Sequence, residues 1–236
     1  MSPTTGVLGE AWALYKAHWR HLLSISFVVY AGVAALSVLL TAVLSWLGSI
    51  IAAVVTVVAL FWVQGALVKA VEDIRDGRVD LSLGETFQRV RPQLASIAVA
   101  SILAGVAIVI GLFLLLVPGL ILITWWILIV PVIVLEGSSA GDAFGRSREL
   151  VRGYGWNVFG VLVLTLLLLL VFGLVLGVVL SPVADWLRSF VSNIVSGTLT
   201  APFIALTWTL LYYRLRAAHD QAEQVPPTMP SPETGV

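Results

Sequence analysis

LASIAVASILAGVAIVIGLFLLLVPGLILITWWILIVPVIVL, residues 94–135, holds no charged side chain and is interrupted near its middle by Pro118-Gly119. As a helix rising ~1.5 Å per residue it would run roughly 60 Å, about twice the ~30 Å hydrocarbon core of a bilayer. The stretch reads as two membrane crossings joined by a tight turn, and the chain as an integral membrane protein.

Composition agrees. The 236 residues are 59% hydrophobic and 11% charged, against roughly 25% charged in an ordinary soluble domain. With no cysteine, disulfides, thiolate nucleophiles, iron–sulfur clusters and Cys-based zinc sites are excluded. His18, His21 and His219 fall in the terminal segments, which argues against an imidazole metal site within the membrane. No cofactor and no nucleic-acid partner are expected.

Working outward from residues 94–135 gives six spans: Leu22–Leu47, Ile50–Val71, Leu94–Val117, Leu120–Leu135, Val158–Leu180 and Phe190–Tyr212. Each approaches the ~20 residues a crossing needs, except the fourth, which is short and carries Pro131, so a kinked or tilted helix is expected there. The first span is too long for a signal-peptide core and reads as uncleaved. Leu47-Gly48-Ser49 and Val117-Pro118-Gly119 are expected to turn the first two hairpins, and Ser181–Ser189 the third. Of thirteen Lys and Arg residues only Arg188 falls on the other side of the six crossings, so the positive-inside tendency puts both termini in the cytoplasm. Trp46 and Trp186 at the outer boundary, with Trp19 and Trp156 at the inner one, fit an aromatic belt. Residues 217–236, with four prolines and no aromatic residue, read as a disordered cytoplasmic tail following a membrane domain of residues 1–216.

Three basic-side segments share one spacing, beginning near residues 9, 84 and 141: Gly9-Glu10 with Trp12 and Lys16, Gly84-Glu85 with Phe87 and Arg91, Gly141-Asp142 with Phe144 and Arg148. Each leads into a pair of spans, so the chain reads as three copies of an interfacial amphipathic helix followed by a hairpin. Ser82 three residues before Glu85, and Ser139 three before Asp142, match a capping box. Glu85 with Arg89, and Asp142 with Arg146, are spaced for ion pairs at i and i+4. Ala143, Phe144, Ser147, Leu150, Val151 and Tyr154 gather on the opposite face, suited to lipid or to span ends. Gly173 with Gly177, Ser101 with Gly105, and Ala31 with Ala35 have spacings that let helices pack closely.

No ionisable group lies well inside a span, no catalytic constellation is present, and no enzyme is expected. Gln64 and Asn193 are the polar side chains at membrane depth; they could line a substrate path, and an interhelical hydrogen bond is the better reading. Glu136 either pairs with Arg146, Arg148 or Arg152, or sits hydrated at the interface. Arg146, Arg148 and Arg152, flanked by Phe144, Tyr154 and Trp156, with Arg89 and Arg91, are the candidates for contact with anionic headgroups or a partner, although setting topology alone would account for them.

The run Leu116-Val117-Pro118-Gly119-Leu120, then Pro131–Gly137, then Ala143, Ser147–Gly153, Trp156 and Phe159-Gly160, with Ala201-Pro202-Phe203 and Leu211–Arg216, resembles the glycerophosphoryl diester phosphodiesterase membrane-domain family and its stand-alone bacterial relatives. The family more often has an acidic residue where Arg214 stands. In some relatives a soluble phosphodiesterase barrel is attached, and these residues contain none. The resemblance therefore implies architecture, with no catalytic residue to carry over. The expectation is a non-enzymatic membrane module of the bacterial cytoplasmic membrane that engages membrane lipids or a protein partner, the alternative being a transporter or flippase-like protein for an amphipathic substrate.

Overall fold

The computed structural model describes residues 2–77, 82–182 and 185–223, and among these all regular structure is helical. Arg78, the side chains of Trp186 and Arg188, and the chain beyond Glu223 lie outside the described residues. The order is α1 (Val7–Arg75), α2 (Leu83–Val90), a 3-10 turn (Arg91–Gln93), α3 (Leu94–Leu114), α4 (Leu116–Trp126), α5 (Ile129–Glu136), α6 (Ala140–Val151), α7 (Gly155–Val179) and α8 (Asp185–Glu223). Five segments are long and apolar enough to cross a membrane, Val7–Arg75, Leu83–Leu114, Leu116–Glu136, Gly155–Val179 and Phe190–Gln221. The first has length for two crossings, since its 69 residues would extend about 100 Å if straight.

It is not straight. Helical geometry breaks at His18 (φ −120°, ψ 23°) and at Ser45 (φ 49°, ψ −125°). At Ser45 the chain doubles back, and Gly48 comes so close to Leu40 that a Cβ there would fall on the Leu40 carbonyl; in a continuous helix residues eight apart stand about 12 Å apart. The next reversal is at Leu115, whose φ of −157° and ψ of 132° are extended. Both lie a few residues ahead of Leu47-Gly48-Ser49 and Val117-Pro118-Gly119, where the turns are expected. Pro118 is instead the third residue of α4, where a missing N–H costs nothing because first-turn amides have no helical partner. Gly48 and Gly119 then serve as the points where the returning helix touches the outgoing one, Gly119 lying against Leu112.

The fourth crossing breaks as Pro131 requires. Proline offers no N–H to the Ile127 carbonyl, and α4 and α5 separate at Ile127–Leu128. At the other end of the chain α8 continues through Ala217 to Glu223, so residues 217–223 are helical rather than part of a tail. They are good helix formers, and the His219 ring packs edge-on against Tyr154, with centroids 5.9 Å apart.

Burial is uneven along the helices. The core consists of Leu22 and Ile25, the run Val63–Ile74, Val90, Ile97, Leu128–Val134, Ala143, Leu150, Val158 and Ala201–Leu215, all near the ends that carry the charged residues. The opposite ends are exposed, Phe113 being 91% accessible and Trp46 69%. Such an apolar surface cannot face water, so the molecule is a membrane protein with lipid around its outer arms. The second half of α7 is mostly exposed, with Leu169, Phe172 and Leu176 partly covered, and its Gly173 and Gly177 meet no neighbouring helix. Gly105 likewise faces open space. The glycines of these spacings therefore do not mark packing sites; close approach occurs at Gly65, under Val90 and Ile97, and at Gly197, under the Tyr30 ring.

Candidate membrane-surface site

Gly137 ends α5 in the left-handed conformation (φ 68°), its N–H bonded to the Ile133 carbonyl, and turns the chain into α6. Ser139 caps α6: its hydroxyl accepts from the Asp142 N–H and donates to the Asp142 carboxylate at 2.6 Å. The turn brings Arg146 back over Glu136. The Arg146 Nε donates to both oxygens of Glu136 at 3.2 Å, and one terminal nitrogen donates to Glu149 at 2.9 Å. From α8 the Tyr212 hydroxyl donates to Glu136 at 2.8 Å and accepts from Arg216 at 3.1 Å. Three helices are thus tied by one carboxylate whose side chain is 19% accessible. Partial burial works against the Arg146 charge, but its hydrogen bonds to Glu149 and Glu136 outweigh that and hold its pKa above the ordinary arginine value.

Glu136 is therefore paired, with Arg146 as partner. Arg148 and Arg152 do not join it. Arg148 points to the other side of α6, where its guanidinium stacks 4.3 Å over the Trp125 ring, and Arg152 caps the helix end, exposed. The expected Asp142–Arg146 and Glu85–Arg89 ion pairs are not formed. The caps claim both carboxylates: Ser82 donates to Glu85 through its hydroxyl at 2.6 Å and its backbone N–H at 2.9 Å. These bonds hold the Glu85 carboxyl below the usual carboxylate range, with a smaller contribution from the Arg89 charge. Arg89 and Arg91 are exposed and make no ion pair. Neither Gln64, half-buried, nor Asn193, exposed, makes a hydrogen bond, so the expected interhelical bonds are absent at both.

The three segments of matched spacing dock in a related way. The residue after the carboxylate, Ala11, Thr86 or Ala143, is fully buried in each. Each aromatic meets another edge-on: Trp12 meets Phe203 of α8 at 6.4 Å, Phe87 meets Trp62 of α1 at 5.4 Å, and Phe144 meets Trp126 of α4 at 5.0 Å. A hydrogen bond to the backbone of the partnered helix pair accompanies each contact, Tyr15 to Leu199, Trp62 to Phe87 and Ser147 to Trp125. The second segment rests on α1 and the third on α4, each in the apolar stretch that precedes it; the first rests on α8, the last described helix, where Glu10 and Arg214 also pair. The Arg75 guanidinium, 3.9 Å over the Tyr213 ring, closes the same end of the bundle.

Two apolar grooves open sideways. One, of about 550 Å³, lies between the start of α1 and the middle of α7 and α8, lined by Trp12, Tyr15, Phe172, Thr200 and Phe203. The other, of about 420 Å³, runs between α4 and α7, lined by Leu120, Ile121, Thr124, Trp125, Trp156 and Phe159. Neither reaches Gln64 or Asn193.

Tyr212, Arg216 and Trp125 are not singled out as site residues by the sequence, whereas Ser147 belongs to the face expected to meet span ends and does so at the Trp125 carbonyl. Tyr212 sits in a Tyr-Tyr-Arg run whose polarity at the end of an apolar span was a signal, but nothing in the sequence reports that its partner is Glu136. No family model, curated protein or solved structure matches the chain.

Proposed function

We propose that the chain is a non-enzymatic, six-span module of the bacterial cytoplasmic membrane, three hairpins each preceded by a surface helix, with both termini cytoplasmic, that engages anionic lipid headgroups through its basic end. One observation carries the reading. The carboxylates of Glu10, Glu136, Glu149 and Glu72 are each held by a basic side chain, and those of Glu85 and Asp142 by helix caps. Arg89, Arg91, Arg148 and Arg152 remain exposed with no carboxylate in ion-pair distance. Cations left unneutralised at the rim of an apolar bundle are placed to meet phosphate, each contributing about 1 kcal/mol near an acidic surface. The cyclic docking of the three surface segments supports a threefold internal repeat, and the resemblance to the glycerophosphoryl diester phosphodiesterase membrane domain is kept as a proposal about architecture.

The packed interior supports this reading over transport, since neither groove reaches Gln64 or Asn193 and the polar lining is confined to Thr200 in one and Thr124 in the other. Extraction into membrane-like particles followed by native mass spectrometry tests it. Enrichment of anionic lipid over its share of the surrounding membrane is expected. Equal retention of all lipid classes, or stoichiometric recovery of one protein in their place, would transfer the basic end to a protein-partner role. Protease accessibility of both termini from the cytoplasmic side only is the matching test of orientation.

A further inference from the structure

A lipid held by its headgroup also needs a place for its acyl chain, and the groove between α4 and α7 has the chemistry for one. Its walls are apolar, and Trp156 on its rim is 86% accessible, an indole with no protein to cover it. At its polar end the wall is Trp125, and on that ring lies the Arg148 guanidinium, free of any carboxylate. Arg146, two residues earlier on α6, is held by Glu136 and Glu149 and offers no free charge. The other groove repeats the arrangement. Trp12 forms its wall, and the Lys16 ammonium lies 5.8 Å over that ring. Lys16 and Arg148 are the cations at the same place in their two segments, seven residues after the glycine. A cation stacked on a tryptophan that walls an apolar groove therefore occurs twice, the cations at matched positions, with Trp12 on the helix of its own cation and Trp125 on α4.

Resting on the reading above, we infer that the α4–α7 groove is a site for an anionic phospholipid, one acyl chain lying along Leu120, Ile121 and Phe159 and the phosphodiester meeting Arg148, with Arg152 and the Trp156 indole at the rim. Charge chooses the occupant. An apolar groove alone would take any acyl chain, whereas an unneutralised guanidinium fixed at its polar end discriminates for a net negative headgroup. The stack on Trp125 holds Arg148 in place without consuming its donors, so all five remain available to phosphate oxygens.

The test uses the full chain in nanodiscs containing phosphatidylglycerol and phosphatidylcholine, with bound lipid counted by native mass spectrometry and located with a phosphatidylglycerol bearing a photoreactive acyl chain. Wild type should retain phosphatidylglycerol preferentially and cross-link within 117–125 and 155–159. Arg148→Gln should lower the preference about fivefold, the equivalent of ~1 kcal/mol per cation, and Arg148→Lys should restore most of it. Ile121→Trp, at an exposed position of the groove wall, should abolish the cross-link while leaving thermal stability unchanged. No preference in wild type would defeat the general reading of headgroup engagement. A preference that survives both Arg148→Gln and Ile121→Trp would overturn this site alone and move the lipid to Arg89 and Arg91. Arg146→Gln, by contrast, should affect stability rather than lipid preference.

Discussion

The Tyr212 hydroxyl donates to the Glu136 carboxylate at 2.8 Å, joining α8 to the end of α5 across 76 residues of sequence. Tyr212 is fully buried, so its oxygen has no water to fall back on. Removing it alone leaves Glu136 with Arg146 as its sole partner. Tyr212→Phe should cost about 1–2 kcal/mol, in the range for a buried hydrogen bond to a charged group. Thermal unfolding in detergent reads this directly. A double-mutant cycle with Glu136→Gln should show coupling near ~1 kcal/mol, and additive effects would mean that the contact is not energetically joined.

Gly197 and Gly177 should respond in opposite ways to alanine. A Cβ on Gly197 would enter the Tyr30 ring, whereas one on Gly177 meets open space. Gly197→Ala is expected to cost about 1–3 kcal/mol through displacement of Tyr30. Gly177→Ala should be neutral or stabilising by up to ~1 kcal/mol, because alanine is the better helix former. Equal melting temperatures for the two variants would contradict the packing of the first and last crossings.

Ser45 is the one described non-glycine residue with positive φ, at 49°, and it sits where α1 doubles back. The conformation suits glycine. Ser45→Gly should raise stability by about 1 kcal/mol through relief of backbone strain, and Ser45→Val should lower it by a similar or larger amount. Unfolding in a common detergent would rank the three proteins, and the opposite order would place the reversal elsewhere.

The Glu85 carboxyl is held below its usual pKa, first by the Ser82 hydroxyl and then by the Ser82 backbone N–H. A depressed folded-state value means that the stabilisation is present above the unfolded glutamate pKa and is lost as pH falls through the lower folded value. Titration of Glu85 by carboxyl-detected NMR should give a midpoint below that of an unstructured glutamate. Ser82→Ala should move that midpoint upward and fray α2 at its start. An unchanged midpoint would remove the capping box as the cause.

The charge-free run 94–135 announced its own solution, two crossings with a turn between, because length and absence of charge are properties of the chain alone. The turn position was less legible. Pro118-Gly119 looks like a turn, yet proline is equally at home in the first turn of a helix, and only the close approach of Leu112 to Gly119 shows which use is made. The two helix caps were readable for the same local reason as the run, since Ser and the carboxylate three residues on need nothing from the rest of the fold, although only Ser82 with Glu85 closes the full capping box and Ser139 caps α6 through its hydroxyl alone. Ion pairing was not, because Arg146 could reach Asp142, Glu149 or Glu136, and the choice depends on where α5 ends relative to α6.

Sequence alone determined that the chain is helical and lipid-soluble, that its basic residues gather at one end, and that three segments of common spacing precede its apolar runs. Those follow from hydropathy, charge and local backbone chemistry, which act over one or two helical turns. Tertiary structure decided that Glu136 takes Arg146 and Tyr212, that Arg148 is left over on Trp125, and that the first surface segment closes on the last helix. Such contacts join residues far apart in the chain, and their partners are chosen by which helix ends arrive together, something no local pattern encodes.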